Sequence, residues 1–309
     1  MSTIVIALGG NALGNNPIEQ KELVKVASKK IAELVGPSTK VVVGHGNGPQ
    51  VGMIVNTFAD RIEKNKFSLP FAEAGGMSQG YIGYHLLTGI KNELILSKKS
   101  SVNPVYFLTQ TIVDKNDPSF QNPTKPVGPF YSTLEEAQNA NPNSTIKEDS
   151  GRGFRKVVAS PLPLGFLGFE AIEKSISTNN VVIVGGGGGI PTIVEDDGTL
   201  TGVDGVIDKD FALGKFASMI KANKFIILTA VDRVCINFGK PDQEELSVIT
   251  SSQAKKLIEE KQFGEGSMLP KIQAALEFVS KNPSGEAIIA KLDKLKEALE
   301  GTSGTIIKL

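Results

Sequence analysis

Val181-Val-Ile-Val-Gly-Gly-Gly-Gly-Gly-Ile-Pro191 opens on a short β-branched run and continues into five consecutive glycines, Gly185 to Gly189. An unbroken apolar run stopped by glycine is the pattern of a strand buried on both faces of a parallel sheet and feeding a ligand loop. Glycine has no Cβ, so backbone N–H groups there can approach an anion closely. A turn-rich, hairpin-like passage follows (Glu195-Asp-Asp-Gly-Thr-Leu-Thr-Gly202), and Val203-Asp-Gly-Val-Ile-Asp-Lys-Asp210 then enters a helical pattern. Lys209 stands between Asp208 and Asp210. A lysine clamped by two carboxylates is held charged and aimed, as a phosphoryl-transfer site needs.

The same layout recurs towards the start of the chain. Thr3 to Leu8 is an apolar strand that ends in the turn Gly9-Gly10-Asn11-Ala12, and Val24, Ala27, Ile31 and Leu34 then follow at helical spacing within residues 19–35. Val41 to Val43 is a second strand, running into Gly44-His-Gly-Asn-Gly-Pro49, with a helix expected over residues 51–62. Strand, glycine loop and helix in repetition indicate a doubly wound α/β sheet with its ligand loops at the carboxyl ends of the strands. A helix is expected over residues 77–96 and a strand over residues 103–110. Further helices are expected over residues 166–177, 210–222 and 251–262, and a strand over residues 225–229. Gly264-Glu-Gly-Ser-Met-Leu-Pro-Lys271 is a third glycine-containing lead-in to a helix, with Ile272, Ala275, Leu276 and Val279 on its buried face. Lys271 falls in the first turn, where the helix dipole opposes a cation unless an anion is bound there. The run from Ala287 to Ala290, a last helix to Leu299 and the run from Thr305 to Leu309 complete the sheet.

Residues 111–160 differ in character. They hold five of the 16 prolines and show weak apolar periodicity, so they are expected to form a small inserted subdomain, a lid, rather than a bare loop. Within them, two prolines stiffen the backbone around Lys125 in Asn122-Pro-Thr-Lys-Pro-Val-Gly128, and a basic cluster follows at Gly151-Arg-Gly-Phe-Arg-Lys156.

Composition narrows the partners. With 33 Lys+Arg against 33 Asp+Glu the formal net charge is zero, so no global field draws nucleic acid or an acidic membrane surface, and any anion site is local. The single cysteine, Cys235, precludes an intrachain disulfide and fits a cytoplasmic location. It lies in an apolar strand-like run, where core packing is the expected role. Two histidines and one cysteine do not suggest a zinc site. The apolar run at residues 3–8 is too short for a signal-peptide core, and no stretch approaches the roughly 20 apolar residues of a membrane helix.

Glycine loops together with Lys125, Lys209 and Lys271 are what phosphoryl transfer requires, because that transition state needs in-line positioning and charge neutralisation more than covalent help. The chain has no G-x-x-x-x-G-K-[ST] motif and no protein-kinase motif set. Gly44 to Gly48 superficially suggests a dinucleotide turn, but no acidic residue ends a strand about 20 positions on, as a Rossmann dehydrogenase needs.

The segments Ala7-Leu-Gly-Gly-Asn-Ala12, Gly44-His-Gly-Asn-Gly-Pro-Gln-Val-Gly52, Asn122-Pro-Thr-Lys-Pro-Val-Gly128, Gly186-Gly-Gly-Gly-Ile-Pro191, Val206-Ile-Asp-Lys-Asp210, Cys235-Ile-Asn237 and Gly266-Ser-Met-Leu-Pro-Lys271 resemble, in order and over essentially the whole chain, the carbamate kinases of the amino-acid kinase superfamily. The resemblance implies an open α/β/α sandwich with a mostly parallel sheet. It would be one domain over residues 1–309, with a carbamate- and phosphoryl-binding lobe at 1–180 that includes the lid at 111–160, and a nucleotide-binding lobe at 181–309. It implies transfer between carbamoyl phosphate plus ADP and carbamate plus ATP, with Mg²⁺ held mainly by the nucleotide phosphates and no protein metal site. It also implies a homodimer, and a place at the ATP-forming end of arginine fermentation.

By matching position, Gly9, Gly10, Asn11, Gly46, Asn47 and Gly48 would hold carbamate and the transferring group. Lys125, Lys209, Lys271 and Asp210 would act on that group. Gly187, Gly188, Gly189, Asp208, Thr229, Val231, Asp232, Phe238, Ser267 and Met268 would line the nucleotide side. The sequence departs from the family pattern at Phe154 (usually tryptophan), Leu162 (often basic), Phe238 (often tyrosine) and Glu265 (usually small or proline). None of these touches the three lysines. Two rivals stand beside this reading. One is a superfamily kinase for an acylamino acid or phosphonate, which would need a larger pocket and a carboxylate-binding arginine. The other is a non-catalytic nucleotide sensor, which would be expected to lack one of the lysines.

Overall fold

The computed structural model of the chain describes residues 1–14, 16–59, 69–142, 144–149, 151–178 and 180–309. β1 (Ser2–Leu8) and β2 (Thr39–His45) pair in parallel from Ser2↔Thr39 to Leu8↔His45. Between them α1 (Pro17–Leu34) starts where Asn16 accepts from the Ile18 and Glu19 amides, and Pro17 takes the first position, where no donor is needed. α2 (Gly48–Ala59) springs from the second glycine loop, and the expected continuation to residue 62 falls outside the described residues. α3 (Phe71–Leu96) begins six residues before the expected start at 77. Its glycines are packing sites: a Cβ on Gly83 would lie 2.5 Å from the Tyr106 ring, and one on Gly89 would lie 2.5 Å from Ser28 Oγ.

The strand expected over 103–110 is two short strands, β3 (Val105–Tyr106) and β4 (Gln110–Ile112), which belong to different sheets. The break has a cause in α3. Gln79 accepts from the Thr109 amide at 2.8 Å and donates at 2.9 Å to the Thr109 carbonyl, which it shares with the Ile190 amide. Residues of the expected lid follow as β5 (Lys125–Tyr131), α4 (Leu134–Ala140), β6 (Ile146–Glu148) and β7 (Phe154–Val158). Their three strands form a separate antiparallel sheet in the order β5-β7-β6.

Next come β8 (Gly165–Phe166), α5 (Phe169–Thr178), β9 (Val181–Ile183), β10 (Ile190–Val194) and β11 (Leu200–Gly202). β10 and β11 are the expected hairpin, paired antiparallel from Thr192↔Gly202 to Val194↔Leu200. The last third contains α6 (Lys209–Met219), β12 (Lys224–Thr229), β13 (Val234–Ile236), β14 (Glu244–Leu246), β15 (Val248–Thr250), α7 (Ser251–Glu259), α8 (Leu269–Lys281), β16 (Glu286–Lys291), α9 (Leu295–Leu299) and β17 (Thr305–Lys308).

The main sheet has eight strands in the order β15-β17-β16-β12-β1-β2-β9-β3, parallel at every pairing except β16 with β17. Strand alternation divides its apolar residues between two cores. Val5, Ala7 and Val42 pack with Leu213 and Phe216 of α6 and Phe278 of α8, whereas Ile4, Ile6, Leu8, Val41 and Val43 pack with Val24 and Ile31 of α1 and Leu86 and Ile90 of α3. Helices on both faces of a mostly parallel sheet make the open α/β/α sandwich that the family resemblance implies. Cys235 departs from expectation. It is only half-buried in the β13–β14 hairpin opposite Glu245, while its neighbour Val234 is fully buried. Burial still pushes its thiol up, with the Glu245 charge adding to the rise.

Candidate active site

Parallel strands align their carboxyl ends, so the loops after β1, β2, β9 and β12 open on one edge of the sheet. The turn after β1 holds Gly9, Gly10 and Asn11, with the Asn11 side chain outside the described part. The loop after β2 holds Gly46, Asn47 and Gly48. A Cβ on Gly9 would come within 2.7 Å of the Leu228 carbonyl, so Gly9 lies against the end of β12 just before Thr229. Gly10 and Gly48 have nothing within 4 Å of an added Cβ and border open space. The Gly46 amide is already engaged, donating to the Leu8 carbonyl at 3.0 Å.

The five-glycine loop is buried throughout. Gly187, Gly188 and Gly189 adopt φ of 64°, 86° and 89°, a region that penalises any side chain. A Cβ would lie 2.2 Å from Asn47 Nδ2 at Gly187 and 2.2 Å from the Ile207 carbonyl at Gly188. The first requirement for glycine here is therefore that three loops close on one another.

The lysines meet at Asp210. Lys209, the first residue of α6, donates to Asp210 Oδ1 at 2.6 Å, and Lys271, in the first turn of α8, donates to Oδ2 at 2.8 Å. Asp210 is 2% exposed. Burial pushes its carboxyl up, but the charges of Lys209 and Lys271 and their hydrogen bonds together hold it below the ordinary carboxylate range. Asp210 is also the anion that makes a lysine tolerable at the start of α8. The expected clamp of Lys209 between two carboxylates is corrected. Asp208 caps α6 by accepting from the Asp210 amide at 2.9 Å, and its Oδ2 lies 3.6 Å from the Lys125 amine of β5. Helix geometry forces the difference, since a capping side chain turns back to the backbone and away from its neighbour's side chain.

Lys209 also lies along the second glycine loop, its Cδ 3.5 Å from where a Cβ on Gly46 would sit. Lys125, Asp208, Lys209, Asp210, Lys271 and the Gly46 loop are thus brought together. Among the described residues Thr229, Val231, Asp232, Phe238, Ser267 and Met268 make none of these contacts. Ser267 and Met268 lead directly into α8, and Phe238 is 70% exposed after β13.

His45 is a site component that sequence reasoning passed over. Fully buried, it donates from Nδ1 to the Gly46 carbonyl at 2.8 Å, and its Nε2 lies 3.5 Å from the Tyr106 hydroxyl. Carbonyls only accept, so the ring carries a hydrogen on Nδ1. Burial drives its pKa from 6.5 to about 4, partly opposed by the Gly46 bond. The folded state then binds fewer protons than the unfolded chain between those values, so stability falls as pH drops through this window. The expected loss from His45 is about 3 kcal/mol, and His45→Asn should flatten that limb in urea unfolding compared at about pH 7 and about pH 4.5. The signal in the sequence was a histidine placed between two glycines at a strand end.

A mostly parallel α/β/α sheet whose carboxyl edge gathers glycine turns around a buried aspartate and its two lysines defines a kinase of the amino acid kinase family, and that family's profile matches residues 138–290. Within it, the chain belongs to the carbamate kinases. It is 56% identical over 309 residues to the carbamate kinase-like protein of Mycoplasma pneumoniae, covering 99% of each. It is 47% identical over 314 residues to the carbamate kinase of Staphylococcus haemolyticus, covering 100% of each. Among solved structures, carbamate kinase from Giardia lamblia bound to AMP-PNP superposes with a TM-score of 0.93 at 39% identity, covering 99% of this chain and 98% of that one.

Proposed function

We propose that the protein transfers a phosphoryl group reversibly between carbamoyl phosphate plus ADP and carbamate plus ATP. The observation that carries this reading is the pair of lysines fixed on buried Asp210, with Lys125 brought to Asp208 from the antiparallel lid. In this mechanism Lys209 and Lys271 neutralise the phosphate oxygens, Asp210 aims both amines, and Lys125 covers the transferring group from the lid side. The acceptor oxygen of carbamate is already anionic, so no general base is needed. Gly9, Gly10, Asn11, Asn47 and Gly48 supply backbone and small side chains for a substrate of few atoms. The nucleotide side is assigned to Gly187–Gly189, Asp208, Thr229, Val231, Asp232, Phe238, Ser267 and Met268.

A bulkier acylamino-acid substrate fits less well, because it needs a carboxylate-binding arginine. Arg152 and Arg155 bond to Asp149 and lie over the Phe130 ring, and Arg233 is held by Ser247 and Thr302. Arg61 lies outside the described residues. Mg²⁺ is assigned to the nucleotide phosphates, where it would offset their charge. Both Asp210 oxygens are engaged by lysines.

The ATP-forming direction, a role ending arginine fermentation and a cytoplasmic location rest on the family resemblance. A homodimer is supported by exposed apolar side chains on adjacent helices, Ile18 of α1 and Tyr84 and Leu96 of α3. ATP formation from carbamoyl phosphate, ADP and Mg²⁺, with acetyl phosphate as the comparison donor, tests the reaction. Strong preference for carbamoyl phosphate is expected. Activity with neither donor in a protein that still binds ADP would overturn the reading.

A further inference from the structure

The lid meets the body through one face of its sheet. Lys125 pairs with Val158 and Val127 with Lys156 across β5 and β7, and directly opposed residues share a face. That face therefore carries two valines and two lysines in a diagonal arrangement. Val127 and Val158 are buried against Val51, Phe71 and Ala74, with Val206 packed alongside. The lysines reach to two carboxylates four residues apart on the segment between β11 and α6: Lys156 to Asp204 at 3.0 Å and Lys125 to Asp208 at 3.6 Å. The same segment is joined to the lid by backbone, since the Val206 amide donates to the Ala159 carbonyl at 2.9 Å.

Asp204 does more than accept from Lys156. Its Oδ1 accepts from the Phe71 amide at 3.0 Å, the first N–H of α3. Pro70 precedes that helix and provides no side-chain cap, so Asp204 caps α3 from a distant part of the chain, where a carboxylate also complements the helix dipole. One carboxylate thus joins three parts: lid strand β7, the start of α3 and the segment that ends at Lys209. A cleft of about 570 Å³, lined by Phe71, Val127, Lys156 and Asp204 among others, runs beside these contacts. Lid and body are therefore not packed together along this whole side, and the polar contacts of Asp204 and Asp208 act beside the Val127–Val158 apolar contact in placing the lid.

We infer that Asp204 is a positioning residue for phosphoryl transfer: by holding Lys156 it sets the lid in the register that brings Lys125 to Asp208, beside the Lys209–Asp210–Lys271 group. The inference rests on the reading that Lys125 acts on the transferring group. Asp204→Asn keeps an oxygen to accept from the Phe71 amide and removes the charge that holds Lys156. Lys156→Met breaks the same pair from the lid side. Each is expected to lower kcat/KM for carbamoyl phosphate about fivefold, the ceiling for a pair with this much solvent exposure, and the double variant is expected to be no worse than either alone.

A mere cap on α3 would behave differently. Under the present proposal, hydrogen exchange at the β5 amides speeds up in both variants while the first turn of α3 stays protected. Asp204→Asn also adds no further loss in a Lys125→Ala background. Unchanged kcat/KM in both single variants, or a full fivefold loss persisting without Lys125, would overturn the role of Asp204 in a parent enzyme that is active. An inactive parent would instead overturn the functional reading on which it rests.

Discussion

Replacing Lys271 with alanine is expected to lower kcat roughly 100- to 1000-fold, a loss of about 2.7–4 kcal/mol of transition-state stabilisation, with a much smaller change in nucleotide KM. Its amine is not a free surface charge. It is held 2.8 Å from Asp210, with its side chain only 16% exposed, so it is preorganised before substrate arrives. A preorganised cation in a poorly solvated site acts on charge that develops as the phosphoryl group transfers, at little reorganisation cost. That effect appears in kcat. Lys209 shares the same carboxylate and its side chain is 15% exposed, so Lys209→Ala should fall in the same range. Because the two lysines act through one aspartate, the double variant should lose less than the sum of the two. Steady-state kinetics on correctly folded protein, checked by circular dichroism, decides the matter. A variant within about threefold of the parent would remove that lysine from the mechanism.

The parts of this arrangement that were legible in the sequence are those encoded locally. Apolar runs ending in glycine located the strands and placed their loops at one edge, because alternation and glycine punctuation act over a few residues. Pro270 and the apolar spacing after it placed Lys271 in the first turn of α8. What could not be read was the choice of partners. Lys209 lies next to two aspartates in sequence, yet only Asp210 receives it, since Asp208 is committed to capping the helix. Lys271 finds the same carboxylate across 61 residues, and Asp204 finds the Phe71 amide across 133. The broken strand at residues 103–110 has a similar origin, because Gln79 of α3 takes the Thr109 amide and shares its carbonyl with the Ile190 amide. Cys235 looked like a core residue because its neighbours are apolar, but a two-stranded hairpin buries one face, and that face holds Val234. His45 gave too weak a signal to be distinguished from an ordinary loop histidine until its burial beneath the glycine loops was visible.

Asp210→Asn should produce the largest loss of stability, about 3–5 kcal/mol, because it leaves two poorly solvated ammonium groups without a counter-charge. Shape is nearly conserved, so packing does not account for the effect. The asparagine oxygen can still accept from one lysine, but its NH₂ then faces the other, setting donor against donor. Set against a typical folding free energy of about 5–15 kcal/mol, a loss of this size would bring the protein close to unfolding at room temperature. The cause can be separated from general damage by adding an anion. Inorganic phosphate or ADP can supply some of the missing charge to Lys209 and Lys271, so either should raise Tm more in the variant than in the parent, where Asp210 already holds both amines. Acid provides a second check of sign. A carboxyl held below its ordinary range stabilises the fold above pH 3.8 and loses that contribution as pH falls through its folded-state value. The parent should therefore have an acid limb below the one set by His45, and Asp210→Asn should lack it. A variant that unfolds in urea within about 1 kcal/mol of the parent, with no extra response to phosphate, would show that the two lysines do not depend on Asp210 for their charge balance.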